Sequence, residues 1–332
     1  MKEQIGLFIA LIHLSIFLST LSCNANSNKG NHRIKSDNKR ENNILPKRLA
    51  VLSSTHLAYL DALDALDMVC AISGKKYIHN EYIIEKTEKK EIVDVGFGSN
   101  ISIEKLIEAK PDLIIAYESA QQAAFWERLE ALGFKVSFLY EYLEPHPLGK
   151  LGWIKWFGEI VGKEHKANKY YQEAASSYDS LTNLPKPSIK PKVLINMLWN
   201  GQWFLAGGQS YIAQLIKDAG GEYILSSDSS RKSKAYSFES ILSKGIEADK
   251  WIHLNQIKSL NELKSLDPRY THFKAYKSKE VYNNNRQSNN NGGIGFWENG
   301  TIEPHIILED LIHIFHPELD TNYQFVYYQH LK

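Results

Sequence analysis

Residues 94–116 read DVGFGSNISIEKLIEAKPDLIIA, and this stretch contains one complete unit of an α/β fold. Ser102 is a suitable N-cap for a helix of about two turns, because its side-chain oxygen can accept a backbone hydrogen bond from the first turn. The pair Lys110-Pro111 ends that helix, since proline cannot continue it. The apolar run from Leu113 to Ala116 then predicts a buried strand.

The same order of residue types recurs at 237–254, SFESILSKGIEADKWIHL. Each stretch has a serine, one apolar residue, a glutamate, a short helical pattern, an aspartate and an apolar strand. Strands and helices also alternate elsewhere in the chain, which predicts mostly parallel sheets covered on both faces. The repeat therefore predicts two doubly wound α/β lobes that are built alike.

A segment between the two lobes, residues 147–184, carries apolar side chains at helical spacing from Trp153 onward. We predict one long, rigid helix of some 30 residues here, roughly 45 Å in length at 1.5 Å per residue. The predicted organisation is an N-terminal α/β lobe over 48–146, this linking helix, and a C-terminal α/β lobe over 185–332.

Length and composition restrict the classes of protein that the chain can represent. The 332 residues suffice for about two domains, and 43% of them are hydrophobic, which is enough for packed cores. Lysine and arginine number 39 against 38 acidic residues, and this balance argues against nucleic-acid binding. Cys23 and Cys70 are too few for a disulfide framework or a cysteine-based zinc site. Cys70 lies in the apolar stretch MVCAI and is interpreted as a core residue, with a reactive thiol as the alternative.

The N-terminal residues predict a targeting segment rather than part of the fold. Residues 5–22 are almost wholly apolar or small, and Cys23 follows directly. This arrangement resembles a bacterial lipoprotein signal, in which residues 1–22 are removed and Cys23 is lipidated. Residues 23–47 are polar and predict a flexible tether. The expected location is the periplasm, with a lipid anchor in a bacterial membrane; a single transmembrane anchor is the alternative.

Motifs of the common enzyme classes are missing from the sequence. There is no Walker loop, no G-x-S-x-G elbow and no H-E-x-x-H zinc motif. The histidines at 56, 146, 253 and 305 are scattered rather than clustered. The sequence therefore predicts neither catalytic residues nor a metal site. An exported enzyme or an adhesin on the same tether is the competing class of protein.

Three segments together resemble the ABC-importer substrate-binding proteins that carry ferric siderophores, cobalamin or haem, in particular their Bacteroidetes branch. They are residues 94–116, the stretch EPHPLGKLGWIKWFGEIVG at 144–162, and a tail with FWENG at 296–300 and PHIILEDLIHIFHPEL at 304–319. The resemblance covers about residues 48–330. It implies two lobes joined by one long helix, a largely preformed ligand cleft between the lobes, and no enzymatic activity.

The resemblance also implies one exposed docking glutamate on each lobe, Glu104 and Glu239 by motif position. Each would pair with arginines of an ABC permease dimer that works with its ATPase subunits. The alternative is that a carboxylate in a first helical turn only complements the helix dipole. The expected partners are thus this permease and a small metal chelate, with the membrane contacted only through the lipid anchor. No nucleic acid is expected, and the protein is expected to be a monomer.

The loops that follow the carboxyl ends of strands are expected to line the cleft. The residues predicted to line it combine aromatic rings with polar or cationic groups: Ser54, His56, Phe97, Tyr117, Trp203, Arg231, Tyr236, Arg286 and Trp297. The asparagines of the polar loop at 283–295 are further candidate donors. Core packing is the alternative for each aromatic residue. Such walls suit a large anionic chelate or a corrin ring.

The nature of the cargo is left open by the residues. Haem-binding relatives often have a tyrosine ligand near the position of Phe97, which cannot ligate iron, although Tyr77 or Tyr117 could substitute. Arg231 and Arg286, if both face the cleft, would favour an anionic ferric siderophore. Cobalamin or another corrinoid is the alternative, because asparagine and tryptophan could surround a mostly neutral ring. Any of these would be a bound cargo, so no cofactor is expected.

Overall fold

The computed structural model describes residues 45–117 and 122–332. The predicted signal peptide at 1–22, the lipidated Cys23 and the tether up to residue 44 lie outside the described residues. None of the helices within the described ranges is long and apolar enough to cross a membrane.

The N-terminal lobe is built on a five-stranded parallel sheet with strand order β3-β2-β1-β4-β5. Alternate residues of the central strand are buried on opposite faces: Leu49 and Val51 lie in one core cluster and Ala50 in another. The strands are β1 (Leu49–Val51), β2 (Val69–Ile72), β3 (Val93–Asp94), β4 (Leu113–Ala116) and β5 (Val136–Phe138). The helices around it are α1 (Ser54–Ala62), α2 (Glu81–Glu88), α3 (Ile103–Ala109) and α4 (Ala123–Ala131).

The C-terminal lobe contains a second five-stranded sheet, with order β9-β6-β11-β12-β13, in which β13 alone is antiparallel to its neighbour. A small antiparallel sheet with order β10-β8-β7 lies beside it. The strands are β6 (Lys192–Ile195), β7 (Leu198–Trp199), β8 (Gln202–Leu205), β9 (Glu222–Tyr223), β10 (Lys234–Tyr236), β11 (Lys250–Ile252), β12 (Val281–Asn283) and β13 (Gln329–His330). The helices are α8 (Tyr211–Asp218), α9 (Phe238–Gly245), α10 (Leu260–Leu266), α11 (Lys274–Lys277), α12 (Gly295–Glu298) and α13 (Pro304–Phe315).

The two lobes repeat one arrangement. The order β2-β1-β4-β5 in the first sheet corresponds to β9-β6-β11-β12 in the second, so that α3 before β4 matches α9 before β11. Both helices begin at a serine N-cap: Ser102 Oγ accepts from the Lys105 N–H at 3.2 Å, and Ser237 Oγ accepts from the Ser240 N–H at 3.2 Å. The predicted fold class, two α/β lobes with largely parallel sheets, is confirmed.

The segment that joins the lobes differs from the prediction of one helix over 147–184. It forms three helices, α5 (Pro147–Gly152), α6 (Ile154–Val161) and α7 (Glu164–Thr182). The chain turns at Gly162, whose φ of +69° is left-handed and ends the helix.

A close approach of two helices explains this reversal. A Cβ on Gly158 would lie 2.5 Å from the Ala167 Cβ, so glycine lets α6 and α7 pack side by side. Helix α7, about 28 Å long, enters both cores. Its Ala167 and Ala174 pack in the core of the N-terminal lobe and its Tyr178 in that of the C-terminal lobe.

Candidate functional site: the cleft between the lobes

A contact between the lobes joins segments that follow the carboxyl ends of strands in the two five-stranded sheets. The loop after β2 is hydrogen-bonded to the segment after β12: Asn289 Nδ2 donates to the Ile78 carbonyl at 2.8 Å. Glu298 of α12 accepts from the backbone N–H groups of His79 and Asn80, each at 2.9 Å. In doubly wound folds ligands bind outside the carboxyl ends of strands, so the loops around this contact form the candidate site.

Aromatic side chains lie in the N-terminal part of this region. The Phe97 ring lies 4.6 Å from the Tyr77 ring, and both side chains are half-buried. Tyr117 follows β4 directly, and its ring lies 6.4 Å from that of Tyr142. Burial, with a smaller contribution from Tyr142, raises the pKa of the Tyr117 phenol, which therefore stays neutral at physiological pH.

Next to Tyr117 is a small depression, lined by Leu52, Ser73, Gly98, Ile101, Ala116, Tyr117, Gln122 and Trp126. The Gln122 amide donates to the Gly98 carbonyl at 2.7 Å and so closes one side of it. Phe97 and Tyr117 thus lie at the carboxyl edge of the sheet, where the sequence placed them; their contact with a ligand stays a prediction.

Trp203 does not lie on the cleft wall, and the prediction that it does is wrong. Its side chain is 0% exposed, its ring stacks 5.7 Å from that of Trp251, and its Nε1–H donates to the Ile195 carbonyl at 2.9 Å. The physical reason is strand alternation, because Trp203 and Leu205 of β8 point into the core while Phe204 points to the other face. Phe204 is half-buried, and its ring lies 5.9 Å from that of Trp199.

Two other aromatic residues keep partly exposed positions in the C-terminal lobe. Tyr236 ends β10 and Trp297 lies in α12, and both are half-buried. The Trp297 ring lies 6.1 Å from that of His253, and the His253 Nε2 lies 2.6 Å from the Tyr328 hydroxyl. Tyr236 and Trp297 remain candidates for contact with cargo.

His56 is also buried, so it does not form an accessible part of the cleft wall. It is 0% exposed, and its Nε2 lies 3.2 Å from Glu141 Oε1, which also accepts from the Thr55 hydroxyl. Burial alone would raise the pKa of Glu141, but His56 and Lys150 outweigh it and lower that pKa to about 2. The pair lies beneath the first turn of α1, where Ser54 stays half-buried. Sequence reasoning missed Glu141, which is 85 residues away along the chain.

Two asparagines at the start of the 283–295 loop, Asn283 and Asn285, are structural rather than free donors. Asn283, Asn284 and Asn285 are buried. The Asn283 amide donates to the carbonyls of Asn255 and Ile257, and its oxygen accepts from the Leu254 N–H. The prediction that this run supplies donors to a ligand is therefore wrong for Asn283 and Asn285, because their amides already donate to carbonyls of the C-terminal lobe. The Asn284 amide is buried and has no hydrogen-bond partner among the described residues.

Two arginines near these loops have exposed side chains. Arg231 lies between β9 and β10, and Arg286 lies three residues after the end of β12. Within residues 45–117 and 122–332, neither Arg231 nor Arg286 forms an ion pair, whereas Arg269 does. Their guanidinium groups are thus available to an anion. Over the same residues, no cluster of three or more His, Cys, Asp or Glu side chains could hold a metal ion.

The two predicted docking glutamates are exposed at equivalent places in the two lobes. The Glu104 carboxylate accepts from the Ser102 hydroxyl at 2.8 Å; its own backbone N–H and that hydroxyl lower its pKa, so it is ionised. The Glu239 carboxylate lies 3.7 Å from Arg269 Nη1. Both positions are accessible to a partner, and the docking role itself stays a prediction.

Cys70 is buried and free, which confirms its interpretation as a core residue.

Comparison with known proteins identifies the family. Residues 49–286 match the family described as periplasmic binding protein, and the chain belongs to this family. A similar sequence is an uncharacterized lipoprotein of Methanocaldococcus jannaschii, 28% identical over 85% of this chain and 68% of that protein. The haem uptake protein IsdE of Staphylococcus aureus is 24% identical over 83% of this chain and 88% of its own length. The iron(3+)-hydroxamate-binding protein FhuD of Bacillus subtilis is 26% identical over 50% of this chain and 48% of its own length.

Solved structures share the fold. The periplasmic haem-binding protein RhuT from Roseiflexus has a TM-score of 0.66 and 16% identity, covering 82% of this chain and 99% of its own. A possible iron-binding periplasmic solute-binding protein from Staphylococcus epidermidis has a TM-score of 0.63 and 20% identity, covering 82% and 99%. The chain is therefore a solute-binding component of the ABC-transporter type, a class that binds its solute as cargo rather than as a cofactor.

Proposed function

We propose that this protein captures an anionic ferric siderophore in the cleft between its lobes and delivers it to an inner-membrane ABC permease. The observation that carries the proposal is the pair of exposed, unpaired guanidinium groups at Arg231 and Arg286, near loops that also carry aromatic rings. Guanidinium groups bind carboxylate and catecholate oxygens in bidentate geometry, and aromatic rings cover the apolar part of a large chelate.

The names of two relatives support an iron-containing cargo. FhuD is named for iron(3+)-hydroxamate binding and IsdE for haem uptake, so iron complexes recur among proteins similar to this one. A haem cargo has less support here, because Phe97 occupies the approximate position of a tyrosine ligand and cannot bind iron. Cobalamin loses the support of Asn283 and Asn285, since their side chains are buried and already hydrogen-bonded.

Delivery is proposed to use the two exposed glutamates. Glu104 and Glu239 lie in the first turns of α3 and α9, which occupy equivalent places in the two lobes. Two carboxylates related in this way fit a permease with two related subunits, where arginine pairing would fix orientation. The lipid anchor at Cys23 would keep the protein close to that permease.

The proposal is tested by titrating the protein with four cargo classes and following tryptophan fluorescence. The probes are a ferric tris-catecholate, which is trianionic, a ferric tris-hydroxamate, cyanocobalamin and haemin. We expect saturable quenching by the ferric tris-catecholate, with the other three much weaker. Tight binding of cyanocobalamin or haemin alone would overturn the siderophore proposal, and the absence of binding by all four would overturn the iron-chelate function.

Matched arginine variants separate a specific charge contact from general attraction. Arg231→Gln and Arg286→Gln should each weaken binding of the ferric tris-catecholate by about tenfold, because each removes one charge-assisted contact. Arg128→Gln, an exposed arginine on α4, should leave the affinity unchanged. Equal effects of all three variants would show that the cleft arginines do not contact the cargo.

A further inference from the structure

A buried carboxylate of one lobe holds the backbone of the other. Glu298, the last residue of α12, is 1% exposed, and its two oxygens accept from the N–H groups of His79 and Asn80 at 2.9 Å each. Asn80 is the N-cap of α2, and its own side chain accepts from the Ile83 N–H. The Glu298 carboxylate therefore binds backbone N–H groups at the start of α2, which lies about 220 positions earlier in the sequence.

A second contact lies beside the first. The Asn289 amide donates to the Ile78 carbonyl at 2.8 Å, and its oxygen accepts from three N–H groups in the tight turn that follows, those of Asn291, Gly292 and Gly293. A Cβ on Gly293 would lie 2.2 Å from the Ile78 carbonyl oxygen, so only glycine allows this approach. We name Asn289, Glu298 and the backbone of 78–80 the interlobe latch.

Aromatic residues of both lobes neighbour the interlobe latch along the chain. Tyr77 precedes it in the N-terminal lobe, and its ring contacts that of Phe97 at 4.6 Å. Trp297 precedes Glu298 in the C-terminal lobe. A movement of residues 78–80 relative to α12 therefore changes the distance between these rings.

We propose that Glu298 and Asn289 are positioning residues, which hold the two lobes in register and set the width of the cleft between Tyr77 and Trp297. The inference rests on the proposed function in one respect, that cargo occupies this cleft. A cleft whose width is held by buried hydrogen bonds is already formed before cargo arrives, so binding does not require ordering of the two lobes.

Hydrogen exchange tests the interlobe latch directly, with the full chain in detergent and mass spectrometry of a peptide covering residues 76–82. Glu298→Gln keeps the shape of the side chain but turns an NH2 group toward a backbone N–H, so one hydrogen bond is lost. We expect exchange of this peptide to become about tenfold faster. Asn289→Ala should show a smaller effect in the same direction, and it keeps the test available if Glu298→Gln folds poorly.

The matched control is Asp310→Asn. Asp310 is also a buried carboxylate that accepts from backbone N–H groups, those of residues 326–328, but all its partners lie within the C-terminal lobe. This variant should speed exchange at 326–328 and leave residues 76–82 unchanged. Unchanged exchange at 76–82 in both Glu298→Gln and Asn289→Ala would overturn the proposal.

The width of the cleft is measured independently of any cargo. Spin labels at Leu132→Cys and Leu266→Cys, both 52% exposed and one in each lobe, report the distance between lobes, with Cys23 replaced by serine. We expect one narrow distance distribution that Glu298→Gln broadens or shifts and Asp310→Asn preserves. Identical distributions in all variants would overturn the positioning role. Failure of the proposed function would instead show as an intact interlobe latch with no binding of the ferric tris-catecholate.

Discussion

Replacement of Glu141 by glutamine should cost the N-terminal lobe a large part of its stability. The Glu141 carboxylate is buried, 3.2 Å from His56 Nε2 and 3.2 Å from the Thr55 hydroxyl. These contacts join the turn after β5 to the first turn of α1. Glu141→Gln keeps the size of the side chain and removes only its charge, so it isolates the electrostatic part of the contact.

The structure sets the size of the effect. The pKa of Glu141 is lowered from 4.5 to about 2 in the folded protein, and one pKa unit corresponds to about 1.4 kcal/mol, so the ionised carboxylate contributes about 3 kcal/mol. The contribution is complete above pH 4.5, where the unfolded chain is also ionised, and it is lost as the pH falls through about 2.

Urea unfolding followed by circular dichroism between pH 2 and pH 7 measures this contribution. At pH 7 we expect Glu141→Gln to lower the free energy of unfolding by about 3 kcal/mol, and the curves of the two proteins should converge toward pH 2. Glu88→Gln is the control, because its ion pair with Lys75 is exposed and contributes about 1 kcal/mol or less. A constant difference between Glu141→Gln and the native protein across this range would refute the reasoning.

Further variants separate core, cleft and docking surface. Trp203→Ala should lower the free energy of unfolding by about 3–5 kcal/mol without changing the affinity of the folded protein for ferric tris-catecholate, because its ring lies in the core. Trp297→Ala should instead weaken the affinity for ferric tris-catecholate and leave the free energy of unfolding nearly unchanged. A weaker affinity in the Trp203 variant alone would contradict this assignment. Charge reversal by Glu104→Lys with Glu239→Lys should abolish uptake by cells while affinity for cargo is unchanged. Normal uptake by the double variant, measured beside a Glu88→Lys control, would exclude the docking role.

The interactions that act over a few residues could be predicted from the sequence. Ser102 and Ser237 cap their helices as the pattern indicates, because an N-cap bond reaches only three residues along the chain. The repeat of serine, glutamate, helix and strand likewise predicted two similar lobes, since alternating helices and strands form parallel sheets. The exposure of Glu104 and Glu239 follows from the same local pattern, as both lie on the outer side of a capped first turn.

Contacts between distant residues were decided only by the tertiary structure. Trp203 belongs to the core because pairing of β8 with its neighbours turns that side chain inward, and the sequence WF is compatible with either face. The reversal at Gly162 depends on the packing of α6 against α7. The helical spacing of apolar residues over 147–184 gives no information about this packing. Glu298 belongs to the segment FWENG, which the sequence analysis singled out. Its hydrogen-bond partners are nevertheless backbone N–H groups some 220 positions earlier. Almost every residue type has the same backbone N–H group, so the sequence does not indicate which of them a carboxylate binds. Only the folded chain shows the partners of Glu298.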